Sequence, residues 1–343
     1  MEDRKRTELE GGEDMRHISS LLQGLARSLS VGKERKGSGD DGEAAATAVL
    51  RTSGTLWGEG SETFAAVCSR RGEKGINQDC AIVCEGFGCE ERSVLCGIFD
   101  GHGQWGHYVA KAVRESLPPA LLRRWREAVT LASLIDGGEK RLCECQVDLW
   151  RQSYHAACAA VDDELRASRR LDAIHSGCTA LCLVKHGDLL VIANVGDSRA
   201  VLATASPDNE ERERIMECNG RVQCLADEPG VHRVWRPDRE GPGLAMSRAF
   251  GDYCVKDYGV ISAPEVTHRR ITAQDHFVIL ATDGVWDVVS NEEAVQIVAS
   301  APEREKAAKR LVEFAVRAWR RKRRGIAVDD CSAICLFFHS PPS

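Results

Sequence analysis

The sequence predicts an α+β fold, a layered domain in which strands and helices are grouped instead of strictly alternating. Three observations carry that prediction. Short apolar runs at residues 94–99, 178–202, 277–281 and 332–338 read as buried strands. Segments with helical spacing fall in two pairs, 109–125 with 146–167 and 291–299 with 303–319. The Gly187-Asp188 pair within 178–202 marks a hairpin, which makes the sheet antiparallel.

Residues 1–60 are rich in Gly, Ser, Glu, Lys and Arg. A stretch such as Gly37-Ser38-Gly39-Asp40-Asp41-Gly42 cannot bury enough surface to offset the entropy of ordering it. A disordered tail is expected there, with a short amphipathic helix over 18–29 bearing Leu21, Leu22, Leu25 and Leu29 on one face. The folded domain is expected over 61–340. Residues 94–99 form a strand that feeds a turn at Asp100-Gly101. The next helix aligns Ala110, Val113, Leu117 and Leu121, and Pro118-Pro119 is expected to break or kink it. Residues 178–202 give a hairpin and a further strand in the same sheet. Residues 230–243, with Trp235, Pro237 and Pro242, are expected to form a mobile flap beside the site.

A net charge of -6 over 343 residues provides no field that would draw the chain onto nucleic acid or an acidic membrane. No stretch approaches the ~18 apolar residues of a membrane span. The start Met1-Glu2-Asp3-Arg4-Lys5-Arg6 has neither a signal-peptide core nor the second-position glycine of a myristoylated chain. A soluble, cytoplasmic, monomeric protein is expected. The 15 cysteines are scattered through apolar runs, without a Cys-x-x-Cys pair or zinc-finger spacing, so they read as reduced, buried thiols.

Four aspartates share one layout. Asp100 follows the strand at 94–99, Asp197 follows 190–196, Asp283 follows 278–282, and Asp329 precedes 332–338. Asp79, ahead of 80–83, is a fifth. One such residue alone is a turn aspartate bonded to its own backbone. Five in one chain point elsewhere: if the strand ends converge, the carboxylates repel one another unless cations neutralise them. Oxygen-only ligands select Mg²⁺ or Mn²⁺ over zinc, and two such ions suit a hydrolase that clamps phosphoryl oxygens for in-line displacement.

Five ordered motifs then carry a resemblance. They are Phe99-Asp100-Gly101-His102-Gly103, Gly196-Asp197-Ser198-Arg199-Ala200, the run from Leu244 through Ser247-Arg248-Ala249-Phe250-Gly251-Asp252, Ala281-Thr282-Asp283-Gly284-Val285-Trp286-Asp287, and Asp329-Asp330-Cys331-Ser332. Together they resemble the motif set of the type 2C protein phosphatases, and the wording around them is most similar to plant members. The resemblance implies a four-layer α-β-β-α sandwich of two antiparallel sheets flanked by helices. It implies hydrolysis of phosphoserine and phosphothreonine in phosphorylated protein substrates, with a metal-bridged hydroxide as nucleophile. Asp100 would bridge two Mn²⁺ or Mg²⁺ ions, with the carbonyl of Gly101 as a further ligand. Asp283 and Asp329 would complete the pair, and Asp79 would bind directly or through a metal-held water. Asp330 stays an alternative to Asp329. His102 would be the general acid, and Asp197 and Asp287, with Asp283, match a weaker third metal site.

Three features depart from the family pattern. Lys74 stands where many members carry a phosphate-binding arginine, and offers a charge without the bidentate fork. Gln78 replaces a glutamate. After residues 199–202 the expected return strand is missing, near residue 206, which would leave ladder groups of a central sheet open. The rival expectation is therefore a non-catalytic regulatory member of the same fold. The run Arg320-Arg321-Lys322-Arg323-Arg324 reads as cations at a helix end, with nuclear entry as its other meaning.

Overall fold

Strands form where the chain is apolar on both sides, because here both sides of each sheet are covered. The computed structural model describes residues 48–57, 63–88, 92–135, 139–201, 218, 221–224, 232–236 and 243–339. In chain order, β1 (Val49–Leu50), β2 (Gly54–Trp57), β3 (Phe64–Arg70), β4 (Cys80–Glu85), β5 (Ser93–Phe99) and β6 (Gly101–His102) precede two long helices, α1 (Gly106–Ile135) and α2 (Glu139–Ala167). Then come β7 (Gly177–Cys178), β8 (Ala180–His186), β9 (Leu189–Val195), β10 (Arg199–Val201), β11 (Arg221–Cys224), β12 (His232–Trp235) and β13 (Phe250–Gly251). The last part holds α3 (Tyr253–Lys256), β14 (Glu265–Arg270), β15 (Phe277–Ala281), α4 (Asp283–Trp286), α5 (Asn291–Ala299), α6 (Ala307–Lys322) and β16 (Cys331–Phe337).

The strands form two large antiparallel sheets, ordered β1-β4-β5-β8-β9-β14 and β10-β15-β16-β3-β2. Three apolar layers bind them into the expected four-layer sandwich. Val83, Cys96, Ile98, Leu181, Leu183, Leu280 and Ile334 fill the space between the sheets. On the far side of the first sheet, Phe99, Leu95 and Val191 meet Val113, Leu117, Trp150 and Tyr154 of α1 and α2. On the far side of the second, Ile279 and Ala333 meet Leu311, Val312 and Trp319 of α6. The central strands β5 and β16 are thus buried at every residue. The edge strand β14 is exposed at every residue but Val266 and carries Glu265, Arg269 and Arg270, which discourages pairing with another chain. Helix α5 starts on a capping box, in which Ser290 accepts from the Glu293 N–H and Glu293 accepts from the Ser290 N–H.

The structure corrects three expectations. Strands β1 and β2 lie within 49–57, so the domain begins before the boundary drawn at residue 60. Pro118 and Pro119 do not end their helix: α1 runs unbroken across both. An interior proline costs about 3 kcal/mol through a lost hydrogen bond and a steric clash. The burial of Val113, Leu117, Ala120 and Leu121 along the same helix outweighs that cost. Third, β10 does not stay with the hairpin β8–β9. It crosses to the second sheet and pairs with β15, Ala200 opposite Leu280, as that sheet's edge strand among the described residues. The hairpin itself, turned at Gly187 with φ +60°, is as expected. The 12 cysteines whose side chains are described are free, most of them buried in the core, as their apolar settings indicate. The tail helix at 18–29 and the site of the missing return strand lie outside the described residues. Among the described residues no helix is long and apolar enough to cross a membrane.

Candidate metal centre

The register of the sheets decides which carboxylates meet. Cys80 pairs with Phe99, so Asp79 before β4 and Asp100 after β5 stand side by side at one end of the first sheet. Ala281 pairs with Ala333 in the second sheet, and the Thr282 N–H donates to the Ser332 carbonyl at 3.2 Å. That brings Asp283, after β15, beside the chain entering β16 from Asp329. The two sheets are then tied at this end: Thr282 Oγ1 donates to Asp79 Oδ2 at 3.0 Å. Asp100 and Asp283 stand within hydrogen-bonding reach of one another.

A cavity of about 460 Å³ opens above this junction. Asp100, Gly101, His102, Asp283, Asp329 and Lys74 line it, together with Arg233 and Gly243 from the flap region. Asp79 lies beneath, 7% exposed, and its Oδ1 has no hydrogen-bond partner among the described residues. Burial pushes the Asp79 carboxyl up to about 8, with Asp330 and Asp283 adding repulsion against hydrogen bonds from Ser332 and Thr282. Burial and the neighbouring Asp197 and Asp329 hold Asp283 at about 7. Asp100 is raised by burial and by Asp79, Asp283 and Asp197. A cluster of buried carboxylates that suppress one another's ionisation is a site short of positive charge.

The donor set fits divalent cations that prefer oxygen. Asp79 has an unpartnered buried oxygen, and the neighbouring ligands are all carboxylates or carbonyls, which suits Mg²⁺ or Mn²⁺ better than zinc. Among the described residues no three His, Cys, Asp or Glu side chains form a finished cage, so the carboxylates are gathered without being locked around one point.

Asp329 and Asp330 both line the cavity but have different partners. Both carboxylate oxygens of Asp330 accept backbone N–H groups, from Gly72 at 2.7 Å and from Gln78 at 2.8 Å. Asp330 is therefore a brace between β16 and the chain entering β4. Asp329 faces the cavity, where one oxygen accepts from Lys74 Nζ and the other from the Asp330 N–H. Burial lowers the Lys74 ammonium, but Asp329, Asp283 and Asp100 outweigh it and leave the group raised. Asp197, raised by burial, and Asp287, raised by burial against the pull of Arg323, border the cluster without lining the cavity.

Sequence reasoning gave Asp252 no role, yet its carboxylate pairs with His102. A small third sheet, ordered β13-β7-β6, aligns Gly101-His102 with Gly177-Cys178 and those with Phe250-Gly251. Asp252 follows β13 in the left-handed region, φ 52°, which is strained for a residue with a side chain. Its N–H donates to the Ser176 carbonyl at 3.1 Å, and its Oδ2 lies 2.6 Å from His102 Nε2. Gly177 leaves room for that carboxylate: a Cβ there would stand 2.2 Å from Asp252 Oδ2. Burial lowers the imidazole, and Asp252 more than reverses it, so His102 is raised. The signal was in the motif ending Phe250-Gly251-Asp252, but strands of two residues carry no periodicity that would align it with His102.

Part of the flap region lies among the described residues. Strands β11 and β12 pair as a ribbon, with Arg221 opposite Trp235, and Val234 exchanges backbone hydrogen bonds with Leu244 at 2.7 and 3.0 Å. Gly243 packs under the Trp235 ring, where a Cβ would come within 2.5 Å.

This geometry agrees with comparison to known proteins. The profile described as Protein phosphatase 2C matches residues 66–322, and the chain belongs to that family of metal-dependent serine/threonine protein phosphatases. A rice relative named probable protein phosphatase 2C 48 is 89% identical, covering 96% of this chain and 100% of its own. An Arabidopsis thaliana relative, probable protein phosphatase 2C 73, is 52% identical over 95% of each chain. In fold, the chain is similar to the serine-threonine phosphatase 2C of Toxoplasma gondii, with TM-score 0.73 and 24% identity over 85% of this chain and 99% of that one.

Proposed function

We propose that this chain is an active phosphatase that hydrolyses phosphoserine and phosphothreonine in proteins with two Mn²⁺ or Mg²⁺ ions. The observation that carries this reading is the gathering of Asp79, Asp100, Asp283 and Asp329 at one shared end of the two sheets. Asp100, Asp283 and Asp329, with the Gly101 carbonyl, would hold the ions, and Asp79 would sit behind them. Asp197 and Asp287 are the residues for a weaker third ion. When bound, the ions supply positive charge that activates a water and offsets the charge of the phosphoryl group.

The chain's own residues divide the remaining work. Lys74 brings a cation to the cavity wall, where a substrate phosphate can take over part of its pairing with Asp329. His102, protonated against Asp252, is placed to give a proton to the departing serine or threonine oxygen. Asp252 fixes the ring and its charge, as a positioning residue. Phosphate release from a phosphothreonine peptide tests the reading. Release should require Mn²⁺ or Mg²⁺, stop with chelator and fall at least about 10³-fold in Asp100→Asn. A metal-responsive but inactive wild type would sink it.

That outcome would favour the rival reading, a non-catalytic member of the fold. One observation supports the rival: the alignment to the rice relative spans 353 positions against 343 residues here, so the relative holds residues this chain lacks.

A further inference from the structure

The cationic run at the end of α6 borders the catalytic cavity, and this bears on which substrates the site takes. An open groove of about 590 Å³ is walled by Glu73, Arg320, Arg323 and Arg324, with a floor at residues 325–328. Its two chain segments continue straight into the catalytic cavity. Glu73 is followed by Lys74, and Val328 by Asp329. The Glu73 N–H donates to the Val328 carbonyl at 2.7 Å, which locks the segments together.

The cations are only partly spent on the fold. Lys322 donates to the Val288 carbonyl at 2.7 Å and lies 3.7 Å from Glu293, so it serves the helix end. Arg323 leans over the Trp319 ring and reaches Asp287 at 3.8 Å, too long for a tight pair. Arg320 meets Glu73 at 3.2 Å with both side chains more than half exposed, a pairing that water largely screens. Arg324 has no acidic partner among the described residues, and its side chain is exposed. Helix-end cations need only offset a partial charge of about half an electron. Five in succession, three of them on one groove, exceed that need.

We propose that this groove is a second anion subsite for the substrate: it takes an acidic or second phosphorylated side chain a few residues from the phosphoserine or phosphothreonine held at Lys74. The inference rests on the phosphatase reading above and deepens it. Guanidinium groups match carboxylate and phosphate geometry bidentately, so arginine suits this task better than lysine. A peptide advances about 3.3 Å per residue, so neighbours of the phosphorylated position can span from cavity to groove. The field is local, since the chain as a whole carries a net charge of -6.

The test uses the full chain with Mn²⁺ and three substrates: a phosphothreonine peptide flanked by glutamates or a second phosphoserine, the same peptide with neutral flanks, and p-nitrophenyl phosphate. The acidic peptide should be preferred over the neutral one by about tenfold in kcat/KM, the preference falling as salt rises. Arg324→Glu, and separately the pair Arg320→Ala with Arg324→Ala, should remove that preference and leave p-nitrophenyl phosphate turnover and the melting temperature unchanged. Equal turnover of both peptides by the wild type would overturn the proposal, as would variants that slow all three substrates alike. If the chain proves inactive on every substrate, the phosphatase reading fails by itself. Fluorescence anisotropy of the labelled peptides still decides the subsite: tighter binding of the acidic peptide, lost in Arg324→Glu, supports it. Variants that change nuclear entry without changing peptide binding would mark the run as an import signal and overturn the subsite.

Discussion

The catalytic cavity has a closed side and an open side, and the two manage charge in opposite ways. On the closed side Asp79, Asp100 and Asp283 are packed among Thr282, Ser332 and one another, and burial raises all three carboxyls. Among the described residues no basic side chain forms an ion pair with them, and Lys74 acts on Asp283 and Asp100 only through its charge. On the open side Asp329 has Lys74, beyond the cavity Asp287 has Arg323 at 3.8 Å, and water screens the pairs. The closed side is built to require a cation from outside, whereas the open side carries its own. That contrast separates carboxylates without a paired cation from those already paired with Lys74 or Arg323.

The largest expected effect breaks the closed side. Asp100→Asn removes a charge from the centre of the cluster and should abolish metal-dependent phosphate release, while chelated protein keeps or gains thermal stability because one source of repulsion is gone. Next comes the positioning pair. Asp252→Asn should slow phosphothreonine peptide hydrolysis roughly 10–100-fold, yet leave p-nitrophenyl phosphate nearly unaffected, since that leaving group departs without a proton. An equal loss on both substrates would show that Asp252 serves the fold alone.

The contrast also predicts a pH dependence of stability. Asp79 at about 8 and Asp283 at about 7 lie above their unfolded values. Their contribution is fully present below the ordinary carboxylate range and is lost as pH rises through about 7 to about 8. Chelator-treated protein should therefore melt several degrees lower above that window than below it, and Mn²⁺ should remove the difference. A flat profile would mean that the closed side already has a cation. The smallest effect belongs to the open side. Lys74→Ala should raise KM a few-fold with modest change in kcat, and Lys74→Arg should match or improve on the wild type by restoring a bidentate fork.

The gathered carboxylates were legible because each stands at the end of an apolar run, and β-strand register does the rest. Phe99 opposite Cys80 places Asp100 beside Asp79. Ala281 opposite Ala333 places Asp283 beside the Asp329 segment. The four-layer sandwich followed from the resemblance, and the sheet orders bear it out. What escaped depends on contacts that leave no local trace. The Asp252–His102 pair is made by two-residue strands far apart in sequence. The passage of β10 into the second sheet follows from the turn at Gly196, whose φ of +107° is a glycine conformation, and alternation alone is blind to it. Pro118-Pro119 misled because tertiary burial of α1 overrides the local penalty. The different partners of Asp329 and Asp330 depend on the Gly72 and Gln78 N–H groups, which only the folded chain brings to Asp330.

Calorimetric titration of the chelator-stripped chain with Mn²⁺ near neutral pH, repeated in two buffers of different ionisation enthalpy, tests the closed side most directly. Carboxyls held at about 7 and about 8 must give up protons to bind a cation. The expected result is binding of two ions with net proton release, both lost in Asp100→Asn. Binding without proton release, or no binding at all, would contradict a closed side whose buried carboxylates require an outside cation.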